Sequence, residues 1–315
     1  MYVFFMAAGF GTRLYPLTEY FPKPLLPVRG KPILDWFIDD IENDASVYVI
    51  VTNHKFAKVY ENHFKKKGYF IVTVDDGMTK NETRRDTIRD ISFVLDKNML
   101  WSDDILIIEP NALYDFSMRG FLDYVKAKGT SCTMRYWEED EEKLRHSGVS
   151  VVDRDDLLTG YEVNPSHPKS HWASVPIYYF KARDARRIHE FTDMRKKRGM
   201  DLDDVGNLIE FLRKRVPMHS MEMPGKRYEI MDRESYVKTM WEYEGIEHRF
   251  IRDTRHIIQY VEYFDEDELE IKRPLGMQKK MAAREKRRQE KLAMLEGQRN
   301  LREETGENDL GGEVL

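Results

Sequence analysis

The chain alternates short apolar runs with segments in which apolar residues recur at helical spacing. Runs at 2–6, 47–52 and 105–108 are almost continuously apolar, which is typical of strands buried on both faces of a sheet. Between the first two runs, the spacing predicts an amphipathic helix over 32–43, with proline in its first turn. The apolar positions that define this helix are Ile33, Leu34, Phe37, Ile38 and Ile41.

The same two patterns continue along the chain. They predict further helices at 56–64, 188–194, 202–212 and 233–243, and further strands at 70–74, 132–137, 148–152, 157–163 and 173–180. Strands that alternate with helices indicate parallel β-α-β units. The sequence therefore predicts an α/β fold in which a Rossmann-like, mostly parallel sheet is covered by helices on both faces. We expect Asp201 and Asp232 to cap the helices that follow them.

Beyond the last of these helices the composition changes. Apolar spacing at 257–264 predicts one more packed helix, and a proline and a glycine then interrupt the pattern. Residues 277–302 are rich in Lys, Arg, Glu and Gln, and their apolar positions are too sparse for sustained heptads. We therefore expect a domain over 1–245, a C-terminal helical extension over 246–302 that is solvated or contacts a partner, and a disordered acidic tail over 303–315.

Composition narrows the class of protein. The chain has 315 residues, of which 34% are charged, and a net charge of −5. No apolar run approaches the roughly 18 residues that a membrane-spanning helix needs, and the first run lacks the basic segment of a signal sequence. A weakly acidic chain has no general attraction to nucleic acid. The single cysteine, Cys132, excludes an intramolecular disulfide and fits a cytoplasmic location.

The first strand leads directly into a loop of small residues. Ala8, Gly9 and Gly11 allow the backbone to turn sharply and to approach a ligand closely. Successive backbone N–H groups in such a turn can donate to phosphate oxygens. Arg13 and Lys23 add positive charge beside the loop, Arg13 as a planar fork and Lys23 as a mobile point charge. The loop is therefore predicted to bind phosphate, the alternative being an ordinary glycine turn after a strand.

Two common glycine motifs are absent from this loop. The dinucleotide-binding fingerprint needs a third glycine where the chain has Leu14, and the ATPase loop needs Gly-Lys-Ser/Thr. The longer string from Met6 to Val28 instead resembles the signature of the sugar-phosphate nucleotidyltransferases, the family that makes nucleotide-sugars such as UDP-glucose and dTDP-glucose. Within 1–245, the resemblance continues at 30–32, 81–97, 106–118, 173–180 and 228–236.

The resemblance implies a reaction and a site for its nucleotide. An oxygen of a sugar-1-phosphate would attack the α-phosphate of a nucleoside triphosphate, giving a nucleotide-sugar and pyrophosphate. The backbone of the loop, from Ala8 through Gly9 and Gly11 to Thr12, would hold the phosphates. Such a transfer between anions needs positioning and charge neutralisation rather than a protein nucleophile.

The resemblance also implies roles for charged residues. Arg13 would neutralise charge on the departing pyrophosphate, and Lys23 would draw the reacting phosphate groups together. The two aspartates that hold magnesium in the family fall on Asn111 and Glu229. Asn111 is neutral, whereas Mg²⁺ prefers carboxylate and phosphate oxygens. Glu109 is the expected substitute ligand for Mg²⁺ or Mn²⁺ if strand geometry persists to residue 111, because it would then share a face with Asn111; a solvated strand end is the alternative.

Other positions depart from the family pattern. The segment 81–97 resembles the part of the family that lies against the base, and Asp86 is expected to contact the nucleotide. Asp86 and Arg89 replace small glycines there, so a solvated helix with apolar residues facing the core is the alternative. In the acceptor region, Asn164 replaces the lysine of a Glu-Lys-Pro motif, and Tyr178 belongs to the strand expected to line the sugar pocket.

These departures leave two other functions open. The protein could be a catalytically weakened member of the fold that acts as a regulatory or scaffolding partner. It could also be a cytidylyltransferase that acts on a non-sugar phosphate such as phosphocholine, because related cytidylyltransferases share the glycine loop. A homo-oligomer, or a partner bound through the C-terminal helix, is compatible with either function.

Overall fold

The apolar runs of the sequence pair to form the centre of a nine-stranded sheet. The computed structural model describes residues 1–42, 44–65, 71–79, 87–97, 103–200 and 204–246. The strands are β1 Tyr2–Met6, β2 Pro27–Val28, β3 Lys31–Pro32, β4 Val47–Thr52, β5 Ile71–Asp75, β6 Ile105–Ile108, β7 Ala112–Tyr114, β8 Ser131–Trp137, β9 Gly148–Val152, β10 Leu158–Val163, β11 Trp172–Phe180, β12 Met218–Glu222 and β13 Arg227–Glu229.

Helices follow most of the strands. They are α1 Ile33–Asp40, α2 Ala57–Phe64, α3 Thr87–Lys97, α4 Met118–Lys128, α5 Glu141–Arg145, α6 Ala182–Ala185, α7 Arg187–Lys197, α8 Val205–Arg213 and α9 Arg233–Glu242. None of the helices within the described ranges is long and apolar enough to cross a membrane. The predicted C-terminal extension from residue 247 onward, the acidic tail, Asp86 and Asp201 all lie outside the described residues.

The main path of the sheet has the order β10-β9-β11-β6-β1-β4-β5. The neighbours β6, β1, β4 and β5 are all parallel. The sheet continues past β6 through β11, which is antiparallel to it; β11 also pairs with β8, and β8 pairs in turn with β12. The predicted α/β fold with a mostly parallel central sheet is confirmed. Within the described part of this sheet, the antiparallel pairs lie on the β11 side of β6, and two separate two-stranded pairs, β2–β3 and β7–β13, are also antiparallel.

Both faces of the sheet are packed against helices. On one face Phe4 joins an apolar cluster that includes residues of α3, α7 and α8. On the other face Phe5 lies against Phe37 of α1, with 6.1 Å between the ring centroids. The predicted core-facing positions of α3, Ile88 and Ile91, are fully buried. Successive strand residues point to opposite faces, so one apolar run supplies both cores.

Two helix caps were predicted, and one of them was wrong. Asp232 caps α9 as expected, and its side chain accepts from the Ser235 N–H while Ser235 reaches back in a capping box. Helix α8, however, begins at Val205, and its cap is Asp204, whose Oδ1 accepts from Gly206 N over 2.7 Å. Asp204 caps the helix, and Asp201 does not, because the N-cap is the residue immediately before the first helical turn.

The order of the strands in the sheet indicates where a ligand would bind. Strand β1 lies between β4 and β6, so the chain leaves β1 in one direction and later crosses back over it. In parallel sheets, ligands bind beyond the carboxyl ends of the strands at such a switch point. The loop after β1 and the turn after β6 meet there.

The C-terminal part of the described chain is bound back to this region. Arg29 donates to the carbonyls of Tyr243 and Trp241 over 2.6 and 3.0 Å. The Tyr236 hydroxyl donates to Pro27 O over 2.8 Å, and the Tyr243 hydroxyl donates to a carbonyl of β7 over 3.0 Å. Helix α9 is thereby held against the segments that precede it by more than a hundred residues.

Candidate active site

A cavity of about 430 Å³ opens at the switch point. Its walls come from the loop after β1, the segment that carries Lys23, the start of α3, the turn after β6 and the residue before the α9 cap. The lining residues are Met6 to Leu14, Lys23, Pro24, Thr87, Asp90, Glu109, Pro110, Asn111 and Met231. This volume lies within the range of small-molecule sites.

The loop after β1 is held from below by buried polar side chains. Asn53, at the end of β4, donates from Nδ2 to Ala8 O over 2.9 Å and is fully buried. Thr18 donates from its hydroxyl to Gly11 O over 2.6 Å and is also fully buried. Because these bonds occupy carbonyl groups, the opposite edge of the loop presents its N–H groups. Among the described residues, the N–H groups from Ala8 to Thr12 have no protein acceptor.

Gly11 is required by this geometry. Its φ is +66°, a left-handed conformation that residues with a Cβ rarely adopt. A Cβ at this position would also meet the Thr18 side chain at 3.1 Å. The predicted phosphate loop therefore has both a fixed backbone and donors that face the cavity.

The anchoring of the loop gives a first prediction. Thr18→Val keeps the side-chain shape but removes the hydrogen bond to Gly11 O, so we expect a stability loss of about 1 kcal/mol. Pyrophosphate binding, measured by calorimetry, should weaken because the donors of the loop are no longer fixed. Thr192→Val is the matched control, since the buried Thr192 donates to Ile188 O over 2.7 Å in α7, away from the cavity. Equal pyrophosphate affinities in the two variants would contradict the prediction.

Two cations face the cavity from this side. Lys23 and Arg13 both line it, and Arg13 is exposed whereas Lys23 is half-buried. Burial and, after it, the nearby Arg227 charge lower the pKa of Lys23 to about 8, against the opposing charges of Glu109 and Glu229. Lys23 Nζ lies 3.5 Å from Asn111 O. A desolvated cation beside backbone donors favours a multiply charged anion as the ligand.

The turn after β6 differs from the expected continuation of the strand. Strand β6 ends at Ile108, and Asn111 N donates to Glu109 O over 2.8 Å across a tight turn at Pro110. Strand geometry therefore does not persist to residue 111, and the same-face argument for Glu109 was wrong. Proline has no N–H for the sheet ladder, which explains the break. The turn nevertheless leaves both Glu109 and Asn111 on the cavity wall.

A second strand pair brings Glu229 to the same place. Strand β13 is antiparallel to β7, and Glu229 is the register partner of Ala112, the residue after Asn111. The next backbone N–H, that of Ile230, donates to Asn111 O over 3.0 Å. Residues more than a hundred positions apart are thus neighbours beside Lys23.

The oxygens at this point fit a divalent cation. Asn111 Oδ1 is buried and has no hydrogen-bond partner among the described residues. A buried acceptor in that state is destabilising unless a ligand satisfies it. The exposed carboxylate of Glu229 adds negative charge next to it. Among the described residues no group of three His, Cys, Asp or Glu side chains forms a metal site by itself. Mg²⁺ commonly uses one or two protein oxygens together with substrate phosphates and water.

Comparison with known families agrees with this arrangement. The model of the family described as Nucleotidyl transferase matches residues 3–214, about two thirds of the chain. The chain belongs to the nucleotidyl transferase family. The predicted resemblance is thereby confirmed at the level of the family.

Two relatives show what the sequence of this chain is similar to. The bifunctional protein GlmU of Methanocaldococcus jannaschii is 24% identical over 70% of this chain and 48% of its own length. A glucose-1-phosphate adenylyltransferase of Thermosipho africanus is 28% identical over 58% of this chain and 47% of its own length. The chain therefore spans about half the length of these relatives.

Solved structures show the same fold. A UDP-glucose pyrophosphorylase has a TM-score of 0.62 and 16% identity, over 77% of this chain and 97% of its own. A CTP:phosphocholine cytidylyltransferase from Streptococcus pneumoniae has a TM-score of 0.59 and 20% identity, over 76% of this chain and 96% of its own. Because these identities are low, the likeness concerns the fold.

The two residues predicted to contact the acceptor are not part of the cavity wall. Tyr178 is buried in the apolar cluster of β11, and burial raises its pKa well above the ordinary value. Asn164 is exposed at the end of β10 with a φ of +45°, and its N–H donates to Ser147 O over 3.0 Å. Neither is among the residues that line the cavity.

Three residues on or beside the site were not predicted. Thr87 and Asp90 line the cavity from the first turns of α3, whereas Arg89 is exposed and does not. Arg227 pairs with Glu229 over 2.8 Å and is close enough to affect Lys23. Helical spacing could have found Thr87, because it lies one turn before Ile91 and next to the core face.

Proposed function

We propose that the protein transfers a nucleoside monophosphate from a nucleoside triphosphate to a sugar-1-phosphate, forming a nucleotide-sugar and pyrophosphate. The observation that supports it most is the meeting of two groups in one cavity. Backbone donors, Lys23 and Arg13 line the cavity together with the oxygens of Asn111 and Glu109, and Glu229 is adjacent. Relatives named for glucose-1-phosphate and UDP-glucose chemistry favour a sugar phosphate as acceptor.

The reaction requires no protein nucleophile. An acceptor phosphate oxygen forms the new bond to the α-phosphorus, and the bond from that phosphorus to the bridging oxygen of the β-phosphate breaks. Pyrophosphate leaves with the electron pair. The N–H groups from Ala8 to Thr12 hold the triphosphate, and Arg13 neutralises charge on the leaving group. Lys23 lies between the two phosphate-bearing substrates and reduces their repulsion.

A divalent cation completes the proposal. Asn111 and Glu229 would hold Mg²⁺ or Mn²⁺, with Glu109 in support, and the cation would neutralise phosphate charge when bound. The nucleotide contact of Asp86, the acceptor contacts of Asn164 and Tyr178, the cytoplasmic location and the oligomeric state stay predictions.

The metal site gives a second prediction. Asn111→Asp supplies a carboxylate where the chain has a neutral amide, so we expect the Mg²⁺ concentration for half-maximal turnover to fall by about tenfold. Thermal stability without metal should fall slightly, because the new charge is buried. Glu109→Asp is a control, since it retains the charge near the same place. An unchanged metal requirement in Asn111→Asp would mean that Asn111 Oδ1 does not contact the cation.

Pyrophosphate release tests the function directly. The four common nucleoside triphosphates are each paired with a panel of sugar-1-phosphates and with phosphocholine, with Mg²⁺ and with Mn²⁺. Release that requires one sugar-1-phosphate establishes the proposal and names both substrates. Release only with CTP and phosphocholine would replace it with the cytidylyltransferase alternative, whose fold the chain shares. Nucleotide binding in thermal shift without any release would instead favour the regulatory or scaffolding alternative.

A further inference from the structure

Arg227 is a largely buried cation that the proposed reaction does not yet use. It lies on β13, where strand alternation places it on the same face as Glu229. Its Nη1 is 2.8 Å from Glu229 Oε1, and its side chain is 13% exposed. Its Nε is buried and has no hydrogen-bond partner among the described residues. Arginine is almost never buried unless it is paired, and a guanidinium has five donors, which a single carboxylate does not satisfy.

The groups around Arg227 leave this donor capacity unused. The guanidinium lies 5.8 Å from the centroid of the Tyr136 ring. The register partner of Arg227 is Tyr114, whose buried hydroxyl also has no hydrogen-bond partner among the described residues. The environment thus contains a fixed cation, two aromatic rings and one buried N–H donor, that of Arg227 Nε, without a partner among the described residues. This combination is suited to binding an anionic ligand.

The strand that carries Arg227 meets Lys23 at one backbone carbonyl. Asn111 O accepts from Ile230 N, three residues after Arg227, over 3.0 Å and from Lys23 Nζ over 3.5 Å. Like charges that are held together in a protein interior are destabilising until an anion lies between them. A phosphate dianion would relieve the repulsion and would accept from both side chains.

The position aligned with the acceptor lysine of the family carries no cation in this chain. The family resemblance implies a lysine at position 164, but Asn164 is neutral and exposed. Val163, which stands at the carboxylate of that motif, packs instead against the apolar core. A phosphorylated acceptor therefore needs its positive partner from another element.

We propose that Arg227, together with Lys23, binds the phosphate group of the acceptor. The inference rests on the proposed function, because it takes the acceptor to be a phosphate monoester. The planar fork of Arg227 matches two phosphate oxygens, and Glu229 holds the fork in place. Recognition then depends on the phosphate group, since Val163 offers no hydrogen bond to a sugar hydroxyl.

Calorimetry with inorganic phosphate tests this role without turnover. The full chain is titrated with phosphate alone, and again with Mg²⁺ and the α,β-methylene analogue of whichever nucleoside triphosphate binds best in thermal shift. The analogue occupies the loop after β1, so the second titration reports the acceptor side. The variants are Arg227→Gln, Arg227→Lys and Arg213→Gln. Arg213 is a matched control because it pairs with Glu210 on α8 and is 18% exposed.

We expect Arg227→Gln to weaken phosphate binding at least tenfold in both titrations, and Arg227→Lys to weaken it less. Analogue binding and its Mg²⁺ requirement should stay unchanged, and Arg213→Gln should behave as the wild type. An unchanged phosphate affinity in Arg227→Gln overturns the inference. A changed Mg²⁺ requirement with unchanged phosphate affinity also overturns it, because Arg227 would then only orient Glu229. If no triphosphate binds, the proposed function fails, and the titration with phosphate alone still decides the role of Arg227.

Discussion

Lys23→Met is expected to lower turnover by roughly 10³-fold while the protein remains folded. Lys23 lines the cavity beside Arg13, and its Nζ lies 3.5 Å from Asn111 O. Methionine retains the length of the side chain but removes the charge that would lie between the two phosphate groups. Single-turnover pyrophosphate release, at saturating triphosphate and acceptor, measures the loss.

The stability of this variant should move in the opposite direction. The pKa of Lys23 is about 8, below the ordinary value of 10.5, so the protonated form is destabilised in the folded protein. That cost is fully present below pH 8 and disappears as pH rises from 8 towards 10.5, because only the unfolded chain still binds the proton there. Lys23→Met should therefore have an unfolding temperature at pH 7 that is equal to or above that of the wild type.

The pH dependence of triphosphate binding tests whether the charge of Lys23 contributes to affinity. Triphosphate affinity of the wild type should fall as pH rises through about 8, since Lys23 loses its charge there. The variant should lack this step. Lys181→Met is the control, because Lys181 is 25% exposed and pairs with Asp104 over 3.1 Å at the start of β6, the end of that strand opposite the cavity. We expect that control to lose some stability and to keep its turnover. If Lys23→Met kept the wild-type rate, Lys23 would have no role in the reaction.

Glu229→Gln is expected to lower turnover by roughly 10²-fold at physiological Mg²⁺ and to raise the Mg²⁺ requirement. Glutamine retains the shape and the register of β13 against β7 but removes the carboxylate next to Asn111. The measurement is initial rate against Mg²⁺ concentration at fixed substrate. Partial recovery at high Mg²⁺ would show that the lost interaction is with the metal.

The double variant Asn111→Asp/Glu229→Gln makes this prediction specific. It moves one carboxylate from β13 to the turn between β6 and β7 without changing the number of charged ligands, so part of the lost rate should return. Glu109→Gln, measured alongside, distinguishes the roles of the two glutamates. Both carboxylates raise the pKa of Lys23, but the metal needs only one of them as a ligand. If Glu229→Gln keeps the wild-type rate and Glu109→Gln loses it, the metal lies on the β6 side.

Sequence patterns predicted the frame of the site because that frame depends on local rules. Continuous apolar runs such as 105–108 can be satisfied only by burial on both faces, and the observed β6 has the same bounds. Gly11 was identifiable because a left-handed backbone position beside a strand favours glycine. Such features depend on a few neighbouring residues.

The remaining parts of the site depend on distant contacts. Nothing in the sequence around Glu109 states that the chain turns at Pro110, or that β13 will pair with β7 and bring Glu229 to Asn111. Arg227 reads as an ordinary basic residue until that pairing buries it. Tyr178 shows the converse, because an aromatic strand typical of a pocket packs into the core. Periodicity reports which face is apolar but not what covers it.

The ties between α9 and the segments before α1 have a consequence for synthesis. The family match ends at residue 214, yet Glu229 and the anchoring residues Tyr236 and Tyr243 come later. A ribosome releases the glycine loop early, but β13 can pair with β7 only after residue 229 has been synthesised and released, and the tie through Tyr243 forms later still. Contacts of such long sequence separation form late in folding. We therefore expect a chain that ends before β13 to form most of the sheet but to lack Glu229, and with it the proposed activity.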